Sequence, residues 1–310
     1  MTNGKPKVVV ITGPTSSGKS SVAIDLALHF SGEIVNADSM QVYRGMDVGT
    51  AKLKITERRG IPHHLLDVVN PDEDFDAAKY RSLAAPLLRD MASRKKVCFV
   101  VGGTGLYIKS LLGGLLKCPA ADPELREELR RTWEECGHLY LFERLKMLDP
   151  ESAQKIHPHD KVRIIRALEI IHLTSQRLSS LIRRHGFKDR SFQALKICLQ
   201  VNRQQLYERI NQRSLTMIEA GLVTETEGLL RKGYSPDLKP MKSLGYRHMV
   251  KFLEGACDLD EAIFQLQRDT RRYAKRQLTW FGADPEMVWM RPEDSEGIVK
   301  KIETFHMDTP

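Results

Sequence analysis

Residues 13–20 have the types and spacing of a loop that binds phosphate groups. Their sequence, GPTSSGKS, matches G-x-x-x-x-G-K-[ST] at every specified position. In such a loop, Gly13 and Gly18 allow backbone angles that turn amide N–H groups toward one anion. Lys19 adds a positive charge, and the hydroxyl of Ser20 is suited to Mg²⁺. The predicted phosphate-binding residues are Gly13, Pro14, Thr15, Ser16, Ser17, Gly18, Lys19 and Ser20.

The loop alone does not fix the reaction. It is typical of nucleotide-binding and ATP-binding proteins, in which a kinase moves the phosphoryl group itself. In other chemistries the diphosphate departs, and the loop stabilises its developing charge. A nucleotide hydrolase usually has a Mg²⁺-binding acid after an apolar strand. Here the apolar run at 96–101 ends in Gly-Gly-Thr-Gly, which offers no carboxylate.

One carboxylate and one hydroxyl are placed to act beside the loop. Asp38 follows a predicted strand at 33–37, and Thr104 follows the predicted strand at 96–101. Ligands of open α/β sheets bind outside the carboxyl ends of the strands, so Gly13, Asp38 and Thr104 should converge on one crevice. We predict that Asp38 is a general base or a Mg²⁺-linked group and that Thr104 is a positioning hydroxyl. Helix capping is the alternative role for both.

Strands and helices alternate around these residues as far as Cys118. The continuous β-branched run before the loop is typical of a parallel strand that is covered on both faces. The alternation predicts an α/β fold with a P-loop NTPase-like, doubly wound parallel sheet. The predicted strands and helices of this part are 7–12, 20–30, 33–37, 76–92, 96–101 and 106–116.

The pattern changes after Cys118, and from Pro123 to about Gly186 the chain shows only helical patterns. This predicts an all-helical insertion at 119–194 within a core of 1–118 and 195–310. Asp122 and Pro123 form a helix start signal. After the insertion we predict a strand at 195–201, a long helix at 204–232 and a helix at 260–281, with the last 20 or so residues peripheral. Predicted helices of the insertion are 124–136, 139–148 and 161–174.

The composition favours an intracellular protein with a polyanionic partner. The 310 residues are 41% hydrophobic and carry a net charge of +8, although solvated lysines alone can produce such an excess. The cysteine count is odd, with no C-x-x-C pair and no zinc-ligand spacing, which indicates reduced thiols. We find no signal peptide and no membrane span, so we expect a cytoplasmic protein, and nothing demands more than a monomer.

Several longer segments resemble the tRNA dimethylallyltransferases. They run in family order from residue 13 to residue 281, so the resemblance covers most of the chain. The segments are GPTSSGKS (13–20), NADSMQVYRGMDVGTAK (36–52), PHHLLDVVNP (62–71), VGGTGLYIKSLL (101–112), HPHDKVRIIRALE (157–169), KSLGYR (242–247) and AKRQLTWF (274–281).

The resemblance implies a specific reaction. The family moves the dimethylallyl group of dimethylallyl diphosphate to the exocyclic N6 amine of the adenine 3′-adjacent to the anticodon of tRNA, with Mg²⁺ and without a redox cofactor. By this likeness Thr15–Ser20 bind the diphosphate, Asp38 accepts the amine proton, and Arg213 points at the diphosphate. The helical insertion grips the anticodon stem-loop. Residues implied to contact tRNA are Asp38, Ser39, Met40, Gln41, Thr104, Arg126, Val162, Arg163, Ile164, Ile165, Arg166, Lys242, Ser243, Leu244, Gly245, Tyr246 and Arg247.

Two sequence features qualify this reading. Eukaryotic relatives have a C-terminal zinc finger, whereas this chain has no Cys/His set for one and resembles the short bacterial type.

The predicted helix at 260–281 has a basic face with interleaved aromatic residues, which fits either a phosphate-tracking surface or a solvated helix with core aromatics. The basic residues are Arg268, Arg271, Arg272, Lys275 and Arg276.

Three other functions remain open from the residues. A small-molecule kinase would use the same loop, but the Gly-Gly-Thr-Gly turn argues against it. An adenylate isopentenyltransferase, which prenylates free AMP or ADP, would not need the insertion. A regulatory nucleotide-binding RNA protein would bind both ligands and make no product.

Overall fold

The structure is a computed structural model that describes residues 4–116, 118–186 and 189–307. Contacts between Cα atoms divide the chain into two compact units. The core unit consists of Met1–Leu112 and Ser191–Pro310, and the helical unit consists of Gly113–Arg190.

The core unit is built on one sheet of six parallel strands, in the order β3-β2-β4-β1-β5-β6. This arrangement confirms the predicted α/β class with a parallel sheet. The strands are β1 (Lys7–Thr12), β2 (Glu33–Asn36), β3 (His63–His64), β4 (Cys98–Val101), β5 (Gln193–Leu199) and β6 (Met287–Met290).

Helices connect the strands and form the helical unit. In chain order, the α-helices of the described ranges are α1 (Lys19–His29), α2 (Ala77–Ser93), α3 (Gly105–Gly113), α4 (Pro123–Cys136), α5 (His138–Leu148), α6 (Pro150–Lys155), α7 (Lys161–Thr174), α8 (Leu178–His185), α9 (Arg203–Glu219), α10 (Leu222–Arg231), α11 (Tyr246–Leu253), α12 (Leu259–Gly282) and α13 (Ser295–Met307).

The last described residues, up to Met307, are part of the core, so the prediction that the last 20 or so residues are peripheral is wrong. Strand β6 pairs with β5 in parallel register. Ile298 and Ile302 of α13 are fully buried and pack in one cluster with Val9 and Ile11 of β1. Burial of two such side chains is worth about 3–6 kcal/mol. Because β6 has only four residues and no clear alternation, a local pattern does not reveal it.

The predicted single helix at 204–232 is also wrong, because it is two helices. Helix α9 ends at Glu219, and α10 begins at Leu222. Between them Gly221 has φ +96°, in the left-handed region that glycine adopts without strain. The break turns α10 so that Glu225 faces the loop at residues 47–49.

The helical unit has a core of its own. Leu141, Leu145 and Ile164 are fully buried in it. Asp122 caps α4 as its sequence signal predicts, since its side chain accepts from the N–H of Leu125 at 3.0 Å. Buried Asp149 caps α6 and also bonds Ser179, so it ties two helices of the unit together.

Acid should weaken the core unit through Glu33, which lies at the start of β2. Hydrogen bonds from Arg94 and His64 hold the pKa of its carboxyl at about 2, below the ordinary 4.5. The stabilisation is therefore complete above pH 4.5 and is lost as the pH falls toward 2. We expect Glu33→Gln to lower the unfolding free energy at pH 7 by about 2–3 kcal/mol and to flatten its decline below pH 4.5. Denaturant melts at several pH values measure this, with exposed Glu254→Gln as control. Equal declines in wild type and Glu33→Gln would contradict it.

Candidate active site

Three loops meet at the carboxyl ends of neighbouring strands β2, β4 and β1. The N–H of Thr104 donates to the carbonyl of Ala37 at 3.1 Å. The Thr104 hydroxyl accepts from the N–H of Ser39 at 3.0 Å, and Thr12 Oγ1 donates to the Gly102 carbonyl at 2.8 Å. The structure thus brings together the three positions expected to converge, and Thr104 orients the backbone beside Asp38.

The phosphate loop has the backbone of an anion-binding nest. Gly13, Ser16 and Gly18 have φ of +151°, +63° and +84°. The hydroxyl oxygens of Ser16 and Ser17 are buried, with no hydrogen-bond partner among the described residues. Lys19 Nζ donates to the loop's own Pro14 carbonyl at 3.2 Å. These groups are the donors that an anion in the loop would engage.

The glycines of the turn at 102–105 are required by close packing. A Cβ on Gly102 would lie 2.2 Å from the Ala37 carbonyl carbon, and one on Gly103 would lie 2.3 Å from Gln277 Nε2. A Cβ on Gly105 would lie 2.0 Å from Trp280 Nε1. The turn therefore packs directly on Ala37, which follows β2, and on α12. A larger residue at any of the three positions would require a shift of its neighbours.

Charged groups of both signs surround the crevice. Burial, and after it the charge of Arg213, lower the pKa of Lys19 to about 8, and the charge of Asp38 opposes the shift. Burial also lowers the pKa of Arg213, again opposed by Asp38. The pKa of Tyr273 is raised by burial and then by Asp38. Lys19, Arg213 and Tyr273 therefore all lie within electrostatic reach of the Asp38 carboxylate.

A narrow crevice runs between the phosphate loop and the Asp38 segment. Lys19, Ser20 and Asp38 supply polar walls, and Ala23 and Ile34 supply apolar walls. Asp38 Oδ1 accepts from the N–H of its neighbour Met40 at 2.8 Å, which fixes one carboxylate oxygen. Among the described residues the other oxygen accepts no hydrogen bond, so the carboxylate is held in place and still has an oxygen that can accept a proton.

Glu225 is a site-supporting residue that the sequence analysis missed. Its carboxylate accepts from the N–H groups of Asp47, Val48 and Gly49 at 3.0, 2.8 and 3.0 Å, and from the hydroxyl of Tyr246 at 2.6 Å. The loop that it holds leads to Thr50. No local pattern marks this glutamate, because its partners lie more than 170 positions earlier or 21 positions later.

The carbonyl of Thr50 links two predicted site residues. It accepts from Gln41 Nε2 at 3.2 Å and from Arg213 Nη2 at 3.5 Å. Through this carbonyl, the loop that Glu225 anchors positions the guanidinium of Arg213 near Lys19 and Asp38.

The segment 242–247 divides into exposed and buried positions. Lys242 is exposed and pairs with Asp237 at 2.8 Å, whereas Arg247 pairs with Asp269. The Ser243 hydroxyl is buried, with no hydrogen-bond partner among the described residues. Leu244 is half-buried, and Gly245 and Tyr246 are buried, so the latter two position α11 rather than offering a surface.

The predicted RNA-contacting residues of the helical unit also divide. Val162 and Arg163 are exposed, but Ile164 and Ile165 are buried in that unit's core. The half-exposed guanidiniums of Arg126 and Arg166 both pair with Glu169, which is completely buried. Glu169 was not predicted, and it holds both arginines in fixed positions.

Gln277 is a further residue that the sequence analysis did not single out. Its side chain bonds the N–H of Thr15 and the carbonyl of Gly103, each at 2.9 Å. The N–H of Thr15 therefore donates within the protein and is not directed at a ligand. Gln277 lies in the segment 274–281, where the sequence interpretation rested on the basic residues and not on this amide.

Within the described ranges, no three or more His, Cys, Asp or Glu side chains are grouped so that they could hold a metal ion. His63 and His64 form the short strand β3, and His64 Nε2 bonds Glu33 at 2.8 Å.

Across the same described ranges, no helix is long and apolar enough to cross a membrane.

The parallel sheet, the loop at the end of β1 and the helix that follows define the class: an α/β protein with a P-loop-like fold. Two family models match. One, described as IPP transferase, matches residues 41–284, and another, described as isopentenyl transferase, matches residues 6–69. The chain therefore belongs to the IPP transferase family, whose members are prenyltransferases.

Individual relatives agree with this assignment. The chain is 52% identical to tRNA dimethylallyltransferase 2 of Geotalea uraniireducens over 97% of both chains, and 48% identical to tRNA dimethylallyltransferase of Desulfatibacillum aliphaticivorans over 97% of this chain and 98% of that one. The crystal structure of the full-length tRNA isopentenylpyrophosphate transferase from Bacillus halodurans is 38% identical, with a TM-score of 0.72, over 98% of this chain and 96% of the other. A eukaryotic dimethylallyltransferase captured acting on tRNA is 27% identical, with a TM-score of 0.84, over 98% of this chain and 80% of the other.

Proposed function

We propose that this protein transfers the dimethylallyl group of dimethylallyl diphosphate to the N6 amine of the adenine 3′-adjacent to the anticodon of tRNA and releases diphosphate. The observation that supports the proposal is that Lys19, Ser20 and Asp38 line one crevice, while the charge of Asp38 acts on both Lys19 and Arg213. One crevice thus combines a proton acceptor with a cationic site for a leaving diphosphate.

The leaving-group side of the reaction uses the loop. As the bond between C1 of the prenyl group and oxygen breaks, the electron pair remains on the diphosphate. Lys19, Arg213 and the donors of the loop lie where that negative charge grows, and such preorganised groups stabilise a transition state more than water does. The apolar walls at Ala23 and Ile34 suit the five-carbon prenyl tail.

The nucleophile side uses Asp38. The exocyclic amine of adenine is a weak nucleophile and must lose a proton as the new C–N bond forms. Asp38 is held by the Met40 N–H and lies next to Ser39, whose N–H is bonded by Thr104. We assign Asp38 as the general base, Thr104 as the group that positions its segment, and Ser39, Met40 and Gln41 as the wall beside the adenine.

Mg²⁺ fits the donors of the loop. This ion usually keeps several waters and is bound by one or two protein groups together with substrate phosphates, so a multi-residue cluster is not required. Ser20 Oγ, at the start of α1, would hold it. When bound, the ion would neutralise part of the diphosphate charge.

The RNA surface is assigned to two regions. In the helical unit we assign Arg126, Val162, Arg163 and Arg166, with buried Glu169 fixing the two paired arginines. In the core unit we assign Thr104, Lys242 and Arg247, and the basic face of α12, where Lys275 and Arg276 are exposed. The adenine must leave its stack to reach Asp38, which costs a few kcal/mol and is easiest in a single-stranded loop.

One chain carries the loop, the base and the turn, so we propose a monomer.

The cysteines of the described ranges are free thiols, which suits a reducing compartment, and we place the protein in the cytoplasm. They are Cys98, Cys118, Cys136, Cys198 and Cys257.

A direct assay tests the function. The protein is incubated with dimethylallyl diphosphate, Mg²⁺ and unmodified tRNA that has adenine 3′ to the anticodon, and nucleosides are analysed by mass. We expect prenyladenosine and one diphosphate per product. Parallel reactions in which AMP, ADP or ATP replaces the tRNA test the other functions. With dimethylallyl diphosphate present, prenylated AMP would indicate an adenylate isopentenyltransferase, and phosphoryl transfer from ATP without RNA product would indicate a kinase. Either outcome in place of modified tRNA would contradict the proposal.

A further inference from the structure

The amide of Gln277 bonds two of the three loops that form the candidate active site. Its Oε1 accepts from the N–H of Thr15 in the phosphate loop at 2.9 Å. Its Nε2 donates to the carbonyl of Gly103 in the turn that carries Thr104, also at 2.9 Å. The side chain is only 6% exposed. A single buried group therefore uses a donor and an acceptor at the same time, on segments 262 and 174 positions away.

We propose that Gln277 is a positioning residue for prenyl transfer: it fixes the phosphate loop relative to the turn that orients the Asp38 segment. This inference rests on the proposed function, because the loop and the turn are assigned to the two reacting groups. The geometry demands an amide of this length. Glutamate lacks the donor, methionine lacks both polar groups, and asparagine is one methylene shorter.

The bonds matter because both partners are backbone groups, and the bond to the Gly103 carbonyl is buried while the bond from the Thr15 N–H is part-buried. If the amide is removed, the N–H of Thr15 and the carbonyl of Gly103 lose their partners, and the buried carbonyl left unsatisfied is costly. The loop can regain a bond only by turning the Thr15 peptide, which changes the nest that neighbouring Ser16 and Ser17 help to form. Loss of Gln277 should therefore weaken diphosphate binding more than RNA binding.

The close approach of Gly103 to the same amide allows a second perturbation of this contact. A Cβ at this position would lie 2.3 Å from Gln277 Nε2, so alanine there must displace the amide while leaving every group of Gln277 present. Gly103→Ala should consequently reproduce the defect of a Gln277 variant. In a Gln277→Ala background the same change meets no amide and should add little, which is the signature of two residues that act through one contact.

The test measures inorganic pyrophosphate affinity by calorimetry without RNA, the KM values for dimethylallyl diphosphate and tRNA, kcat and the melting temperature. For Gln277→Met we expect pyrophosphate affinity and kcat/KM for dimethylallyl diphosphate to fall about 10-fold, with KM for tRNA within about twofold. Gln265→Met is the matched control on the same helix, because among the described residues its amide bonds only Glu261 of that helix. It should leave all values unchanged.

Gly103→Ala is the second route if Gln277→Met does not fold. The inference would be overturned if either variant kept wild-type pyrophosphate affinity, or if the melting temperature fell while the kinetics stayed unchanged. It would also be overturned if the loss of affinity in the double variant with Gln277→Ala equalled the product of the two single losses. The proposed function is tested separately. If the wild-type protein makes no prenylated tRNA but the variants still bind pyrophosphate more weakly than wild type does, Gln277 positions the loop and only the assigned reaction is wrong.

Discussion

Asp38→Asn is expected to lower the rate of tRNA prenylation by about 10²–10⁴-fold, the usual contribution of a general base. Asparagine has nearly the same shape, and its Oδ1 can still accept the N–H of Met40 that Asp38 accepts at 2.8 Å. The backbone beside the crevice should therefore stay in place. Only the ability to take a proton from the adenine amine is lost, so the rate of the chemical step should fall while tRNA affinity changes little.

Single-turnover kinetics with saturating dimethylallyl diphosphate measure this effect, and a filter-binding assay measures tRNA affinity. Asp72→Asn, at an exposed loop position, is the matched control and should behave as wild type. If Asp38→Asn retains near wild-type single-turnover rates, another group is the base. If its tRNA affinity falls as steeply as its rate, Asp38 acts in binding and not in proton transfer.

Lys19→Met is expected to weaken binding of dimethylallyl diphosphate by about 10- to 100-fold, because a charged donor to a phosphate oxygen is worth roughly 1.5–3 kcal/mol. Methionine keeps the length of the apolar stem and lacks the ammonium group. Lys232→Met, at an exposed position after α10, is the control. Unchanged diphosphate affinity in Lys19→Met would remove the loop from the mechanism.

The same lysine predicts a pH dependence of binding. Burial and Arg213 lower its pKa to about 8 in the ligand-free protein. Since only the protonated ammonium attracts diphosphate, wild-type affinity should be greatest below pH 8 and should fall as the pH rises through 8 toward 9. The Lys19→Met protein has no such group, so its weaker affinity should vary less over this range. Parallel pH profiles of the two proteins would contradict the role of Lys19.

The sequence predicted the parts of the fold that rest on local patterns. The buried run of β1, the loop motif and the cap at Asp122 each carry their signal within a few residues. The short strands β3 and β6 and the break at Gly221 do not, because their state depends on pairing with β2 and β5 or on one backbone angle. Glycine is tolerated inside a helical pattern, so its presence did not predict a break.

The candidate site shows the same division. Phosphate-binding and carboxylate positions follow from motif and strand ends, and the structure places Asp38, Lys19 and Arg213 within electrostatic reach of one another. Glu225 and Gln277, which hold the loops in position, were not found. Apart from the hydroxyl of Tyr246, their partners are backbone groups far along the chain, which carry no side-chain identity that a sequence pattern could reveal.

The most direct test is a crystal structure with an anticodon stem-loop and dimethylallyl thiolodiphosphate, whose sulfur bridge slows cleavage. We expect the diphosphate to lie in the loop at 13–20 against Lys19, with the unstacked adenine N6 about 2.6–3.2 Å from a carboxylate oxygen of Asp38. A diphosphate bound away from that loop, or an adenine amine that faces another group while Asp38 points elsewhere, would contradict the mechanism.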